Sequence, residues 1–431
     1  MPLPVITPIL LLLGLLATGA WVALGIIGVG AGSLYLFRSI PVDRILAQSM
    51  WNGLASPELV ALPLFILMAE LLFRSKFIDG LFHALEPWVR RLPGGLVHSN
   101  VLGCAFFALV SGSSAATTNA VGKITMTELP RRGYDKSIVM GSLAGAGTLG
   151  FLIPPSIIMI IYGVLSQTSV LRLFAAGIVP GLVLAIMFMG YIALRAYFRP
   201  SPAIVAEENG PSIWKDRVSR LPVLMPFLFL MGLLLGSMYG GFASPSEAAA
   251  VAVGFTMIIM AFERTLSWRA VVDACIATAR TTSMLGLIIA SAAFLSTAMG
   301  YLGLPQAISA QIQALELPPL MLIALLLIIF IVLGSFLEGM SLIVMTLPIM
   351  LPIVLHAGYD KIWFGVFLIV VVEMAQITPP VGMNLFVIQG LTGEKLATIV
   401  KAAFPFFLIM IVFTFLIAIF PEIVTYLPSL M

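Results

Sequence analysis

Four short segments concentrate the polar side chains of an otherwise apolar chain, and their composition suits the binding of small ions and oxygenated solutes. The first is Ser111-Gly112-Ser113-Ser114-Ala115-Ala116-Thr117-Thr118-Asn119-Ala120-Val121-Gly122, twelve residues with six hydroxyl or amide side chains and two glycines. It lies between the apolar run 101–110 and the basic pair Arg131-Arg132. Irregular backbone at membrane depth is tolerated only where protein buries it or water reaches it. Hydroxyl and carbonyl oxygens are hard donors that suit Na⁺, and Ser, Thr and Asn also hydrogen-bond carboxylates or sugar hydroxyls. Small residues in such a stretch equally serve close helix packing.

The second segment, Gly334-Ser335-Phe336-Leu337-Glu338-Gly339-Met340-Ser341, follows the apolar run 321–333 and precedes Pro348 and Pro352. Glu338 is expected either to meet a cation or to cap a half-helix N-terminus. The third is Gly145-Ala146-Gly147-Thr148-Leu149-Gly150 leading into Ile153-Pro154-Pro155-Ser156, and the fourth is Gln376-Ile377-Thr378-Pro379-Pro380-Val381-Gly382-Met383-Asn384. A proline pair removes two backbone donors and pushes the preceding residue off helical geometry. Such breaks leave half-helix ends: freed C-terminal carbonyls favour a cation, and N-terminal N–H groups favour an anion. Glu373, just before the second break, is read as a charge in a transport path or as the partner of a basic group, and the sequence leaves both open. Glu70 is a lone carboxylate with no evident partner.

The elements that must hold these segments are duplicated. Gly133-Tyr134-Asp135-Lys136 returns as Gly358-Tyr359-Asp360-Lys361, 225 residues on, and at the same offset Pro154-Pro155 returns as Pro379-Pro380 and Pro180 as Pro405. A register held without a gap implies a duplicated membrane unit, and paired broken helices are a signature of secondary transporters. Hydrophobic residues make up 61% and charged residues 10% of the 431, so the chain is expected to be an all-α polytopic membrane protein in a lipid bilayer. A net charge of +3 gives no reason to expect nucleic acid. Cys104 and Cys275 read as small apolar residues, and His83, His98 and His356 lack metal-ligand spacing. The N-terminal apolar run has no basic n-region and reads as a first span, not a cleaved signal. With no Walker lysine loop, no H-E-x-x-H and no G-x-S-x-G, the chain is expected not to be an enzyme and to have no organic cofactor, its drive coming from an ion or cargo gradient.

Ten full spans are expected, near 4–19, 20–37, 57–74, 137–165 and 173–195, then 221–239, 246–263, 276–299, 361–391 and 402–427. Two re-entrant hairpins, about 98–130 and 320–356, accompany the broken spans 137–165 and 361–391. The repeats are 1–195 and 221–431, joined by a polar linker, 196–220. An odd span count per half places the halves in opposite orientations. Amphipathic arms at 75–95 and 301–319 are expected to lie along the surface. The first carries Lys76, Arg90 and Arg91, the second only Glu316. By the positive-inside rule the linker is cytoplasmic and both termini lie outside, although Arg38 and Arg44 fall on the wrong side. Ala243-Ser244-Pro245-Ser246-Glu247 reads as a helix start with a capping box.

Motifs S-G-S-S-A-A-T-T-N-A-V-G at 111–122, R-R-G-Y-D at 131–135, I-P-P-S at 153–156, A-S-P-S-E-A-A-A at 243–250 and I-T-P-P-V-G-M-N at 377–384 together resemble the large membrane (permease, M-type) subunit of tripartite ATP-independent periplasmic (TRAP) transporters. The resemblance implies the ion-transporter superfamily fold, an elevator with scaffold and mobile transport core, in a bacterial or archaeal inner membrane. It implies a small four-helix membrane subunit, a soluble periplasmic substrate-binding protein, Na⁺ coupling with two or more ions, and an organic acid such as a C4-dicarboxylate or sialic acid as cargo. Without the extra N-terminal spans of a fused version, the small subunit is expected to be separate. One Na⁺ would lie among Ser113, Ser114, Asn119, Gly145, Gly147 and Gly150, and a second among Gly339, Ser341, Gln376 and Thr378. Substrate would lie between the hairpin tips near Thr117, Thr118, Ser156, Glu338, Thr378 and Asn384. The alternatives are a stand-alone sodium/dicarboxylate symporter and, in a different class, an ion channel.

Overall fold

A computed structural model describes residues 21–198, 213–314 and 318–431, together with positions 7, 8, 10, 11 and 14. Most of the expected span 4–19, linker residues 199–212 and Glu316 lie outside the described residues. Every regular element described is helical. The first half contains α1 (Val22–Phe37), α2 (Val42–Leu54), α3 (Ala61–Leu72), α4 (Phe77–Val89), α5 (His98–Ser111), α6 (Ser114–Arg131), α7 (Lys136–Gly147), α8 (Ile157–Ser166) and α9 (Val170–Phe198). The second contains α10 (Ile213–Tyr239), α11 (Pro245–Phe262), α12 (Trp268–Leu302), α13 (Leu304–Ala314), α14 (Pro319–Gly334), α15 (Gly339–His356), α16 (Lys361–Ala375), α17 (Met383–Thr392), α18 (Leu396–Ile419) and α19 (Glu422–Ser429).

The 225-residue offset relates these helices in pairs: α4 to α13, α6 to α15, α7 to α16, α8 to α17 and α9 to α18. The cassette has a local cause. Gly133 and Gly358 take left-handed φ values of 87° and 89°, where a Cβ is disfavoured. Asp135 then caps α7, accepting from Ser137 N–H at 2.9 Å, and Asp360 caps α16, accepting from Ile362 N–H at 2.6 Å. Glycine and aspartate thus stop one helix and start the next in both halves.

Among the described residues, six helices are long and apolar enough to cross a membrane, or up to seven if α2 and the segment Pro57–Leu72, bent by 59°, count as one. The ten expected spans include the two broken ones, whose halves are each too short to cross: α7 has 12 residues and α8 has 10. Helix α2 has no place among the expected spans. Its repeat partner is the first part of α12, which runs unbroken for 35 residues. The difference lies at Ser56, held extended (φ −72°, ψ 125°) ahead of Pro57. Helix α12 packs against α1, α2 and α3 and forms with them a layer that meets α15 of the second hairpin and α8 of the first broken span.

A group of charged side chains surrounds the base of the first hairpin. Glu86 of α4 accepts from Arg132 at the base of the first hairpin (2.6 Å) and faces Arg220 of α10 at 3.6 Å. Asp135 pairs with Arg195 at 2.8 Å. Arg38, one of the two charges on the wrong side of the sequence scheme, donates to the Tyr301 carbonyl beside the second arm at 3.0 Å. Ser244 and Glu247 form the expected capping box. Glu70, expected to be alone, is paired with Arg74 one helical turn on.

Helix α7 seats on α18 through small residues: a Cβ on Gly141 would penetrate the Ala402 carbonyl oxygen, which is backbone and cannot step aside. Gly141→Ala is therefore expected to abolish recovery of folded protein from membranes, whereas Gly232→Ala, with open space around it, should leave the size-exclusion profile unchanged. Asp360→Ala should cost about 1 kcal/mol, the usual worth of an N-cap, seen as a lower melting temperature in detergent.

Candidate functional site

Helix α5 ends at Gly112, whose left-handed φ of 51° turns the chain sharply, and Ser113 caps α6 by accepting from Ala116 N–H at 3.4 Å. Ser111 and Thr117 close the tip with a 2.6 Å hydroxyl–hydroxyl bond. This tip is pressed onto the first break. Ser114 Oγ donates to the Gly147 carbonyl at 3.0 Å, and a Cβ on Gly150 would lie 2.8 Å from the Ser114 backbone. The second break reaches the same point, for Asn384 Nδ2 donates to Ser114 Oγ at 2.8 Å. A Cβ on Gly147 would overlap Thr118 Oγ1 and approach Asn384 Nδ2 to 3.1 Å, so only glycine fits there.

The breaks also touch directly. The backbone N–H of Phe151, in the first, donates to Oε1 of Glu373 on α16 at 2.8 Å. Both double-proline peptides, Pro154-Pro155 and Pro379-Pro380, are cis. Ser156 is fully buried and caps α8 by accepting from Met159 N–H at 3.4 Å. In the second break, Asn384 N–H donates to the Gln376 carbonyl (3.1 Å) and Val381 N–H to the Ser335 carbonyl of the second hairpin tip (3.1 Å). Gly339 packs on Val372, with Gln376 Nε2 beside it.

The expected site residues are thus partly assembled. Ser113, Ser114, Gly147 and Gly150 come together. Asn119 is instead exposed and lines two open cavities of about 360 and 530 Å³. Gly145 faces Phe406, and its carbonyl accepts from Thr148 Oγ1 at 2.6 Å. Gly339 and Gln376 meet, and Ser341 is buried with its N–H on the Glu338 carboxylate at 3.3 Å. Glu338 is exposed and caps α15, accepting from Met340 and Ser341; of the two roles open in the sequence it performs the capping one. Thr378 is half-buried and donates to the Met374 carbonyl at 2.7 Å. Thr117, Thr118 and Asn384 are fully buried. Among the described residues no three His, Cys, Asp or Glu side chains cluster as metal ligands, and Cys104 and Cys275 are free.

Sequence reasoning missed two features. One is the Glu373–Phe151 contact. The other is a cavity of about 900 Å³ between α2, α12 and α15, with Gln48, Asn52, Gln167, Ser296 and Thr297 among its polar lining. Gln48 and Asn52 stand one turn apart on α2, a spacing that places both on one face and is visible in sequence once that helix is recognised.

Residues 9–423 match a family model described as "Tripartite ATP-independent periplasmic transporter, DctM component". The C4-dicarboxylate TRAP transporter large permease protein DctM of Pseudomonas aeruginosa is 34% identical over 402 residues, covering 93% of this chain and 92% of that protein. The sialic acid TRAP transporter permease protein SiaT of Haemophilus influenzae is 29% identical over 427 residues, covering 95% of this chain and 67% of that protein. Among solved structures, the Alcanivorax borkumensis YdaH transporter superposes with a TM-score of 0.60 at 14% identity, over 88% of this chain and 87% of that one, a likeness of fold.

The contact between tip and break has an energetic test. Ser114→Ala and Asn384→Ala, singly and together, should show non-additive losses of thermal stability of about 1 kcal/mol, as expected for one buried hydrogen bond. Additive losses would mean that the two side chains do not interact.

Proposed function

The chain belongs to the tripartite ATP-independent periplasmic transporter family as a DctM component, and from that premise we propose that it is the permease of a sodium-coupled, binding-protein-dependent importer of an organic acid. It is a multi-pass membrane transporter subunit, not an enzyme, and one part of a three-part system. The observation that carries the proposal is the meeting of the first hairpin tip with both broken helices through Ser114, Gly147 and Asn384. Backbone carbonyls and hydroxyls converge there at the interface of two repeats, where secondary transporters bind cargo and ion.

In this reading one Na⁺ lies at the first tip and break, around Ser113, Ser114, Gly147 and Gly150, with Gly145 and Asn119 flanking. A second lies where Gly339, Ser341, Gln376 and Thr378 meet. The organic acid, a C4-dicarboxylate, a sialic acid or a similar carboxylate, approaches the tips from the open side, where Asn119, Glu338 and Thr378 are reachable. Thr117 and Ser156 keep their hydrogen bonds within the protein. Hairpins and broken helices form the transport core, which moves as an elevator against a scaffold of α1–α3 and α10–α12. The partners are a small four-helix membrane subunit and a periplasmic binding protein that delivers cargo. The linker 196–220 faces the cytoplasm, both termini face the periplasm, and the membrane is the inner one.

Reconstitution in proteoliposomes tests this. Uptake of a labelled dicarboxylate or sialic acid is expected only with the small subunit, a cognate binding protein and an inward Na⁺ gradient together. Uptake that persists without any binding protein would replace the proposal with a stand-alone symporter. Ser114→Ala and Gln376→Ala should each raise the half-activating Na⁺ concentration several-fold; unchanged values in both, at normal expression, would remove the ion sites from these positions.

A further inference from the structure

Glu373 is the side chain least accounted for. It sits near the C-terminal end of α16, is 1% exposed, and forms no ion pair with Lys, Arg or His among the described residues. Oε1 accepts from the Phe151 N–H and the Ser114 side chain lies against the carboxylate, while Oε2 is buried without a hydrogen-bond partner. A buried carboxylate without a compensating charge is strongly disfavoured, so this group is neutralised either by a proton or by a cation that joins it.

The surroundings supply the rest of an oxygen shell. Thr118 Oγ1 and Asn384 Oδ1 are likewise buried without partners. Both side chains crowd Gly147, as the overlap of a Cβ there with Thr118 Oγ1 and its approach to Asn384 Nδ2 require. The Gly147 carbonyl faces the same point, since Ser114 Oγ donates to it while also holding Asn384. Carboxylate, amide, hydroxyl and carbonyl oxygens form a hard donor set of the kind that holds a small cation.

The repeat supplies an independent argument. At the 225-residue offset the partner of Glu373 is Thr148, whose hydroxyl is satisfied within its own helix end by the Gly145 carbonyl. The duplicated architecture therefore folds at this position without a carboxylate.

We propose that Glu373 is the charged ligand of a sodium ion held between the two breaks, with Thr118, Asn384 and the Gly147 carbonyl completing its shell. This rests on the sodium-coupled reading above and sharpens it. Thr118 and Asn384 pass from substrate candidates to ion ligands, and the ion carries its counter-charge with the protein. Because Oε1 is fixed to the first break while α16 leads into the second, the ion draws the two breaks together.

The test uses the full chain with its small subunit, in detergent and in proteoliposomes. NaCl is titrated against choline chloride at constant ionic strength, and both melting temperature and uptake are read. Glu373→Gln preserves size and an oxygen acceptor for Phe151. It should melt in choline at or above the wild-type temperature, while the Na⁺ midpoint of stabilisation and of uptake rises by about tenfold or more, the scale expected when a charge-assisted contact is lost. Thr118→Val should raise the same midpoints several-fold, and it decides the question if Glu373→Gln does not fold. Wild-type Na⁺ midpoints in these variants overturn the inference and leave sodium coupling standing. A wild-type protein whose uptake and melting ignore Na⁺ overturns both.

Discussion

Inside a bilayer every freed backbone group must find a partner within the protein, and this constraint explains why the two breaks lie together. Each proline pair interrupts the helical hydrogen-bond ladder of its own span, and no water is assured at that depth. The structure meets the need by exchange between segments. The Phe151 N–H is taken by a side chain of the second repeat, the Val381 N–H by the tip of the second hairpin, and the Gly147 carbonyl by the tip of the first. Two separated breaks would each need a private set of donors and acceptors. Brought together, they serve one another, and the oxygens left over after this exchange are the ones the proposed ion site would use.

The duplication is symmetric in its supports and asymmetric in its site. Turn glycines, aspartate caps and proline pairs recur at the same offset, because both halves must solve the same local problems. The breaks differ in exposure. Residues Pro154, Pro155 and Ser156 are buried, whereas Pro379, Pro380 and Val381 are exposed, Val381 by 43%. The first break is packed under the tip of its hairpin, and the second leaves its prolines and Val381 at the surface. The layer formed around α12 differs in the same spirit: α12 runs unbroken where its counterpart bends at Pro57, and the 900 Å³ cavity opens between α2 and α12.

These features divide by how local their causes are. Helix ends, caps and breaks were legible because each follows from one or two residues: a glycine at positive φ, an aspartate at the N-cap, a proline that lacks a donor. The Glu70–Arg74 pair was equally open to reading, since its partner lies one turn along the same helix. The contacts that make the site were not. Ser114 meets Asn384 across 270 positions, and Phe151 meets Glu373 across 222, and neither pairing leaves a local trace. Helix α2 is hard to read from the sequence for another reason. Its Asp43, Arg44, Gln48 and Asn52 lower its hydrophobicity below that of a span, and those polar groups are in part explained by the cavity they line.

The distribution of strong and weak contacts indicates which parts can separate. Helices α7 and α18 are joined at Gly141 with no room for a methyl group, so moving them apart would expose a closely packed apolar seam, where each buried methylene is worth about 0.8 kcal/mol. The link from the first hairpin to α4 and α10 is mixed: Phe106 packs on Phe227 with ring centroids 5.6 Å apart, and Arg132 and Arg220 meet Glu86 in partly exposed ion pairs whose individual worth is about 0.2–1 kcal/mol. Helix α15 faces α2 and α12 across the 900 Å³ cavity, whose lining includes Gln48, Asn52, Ser296 and Thr297. The elevator proposed above would require a rigid body bounded by exchangeable contacts. Under that proposal the ion pairs at Glu86 are free to rearrange, and the glycine seam at Gly141 is not.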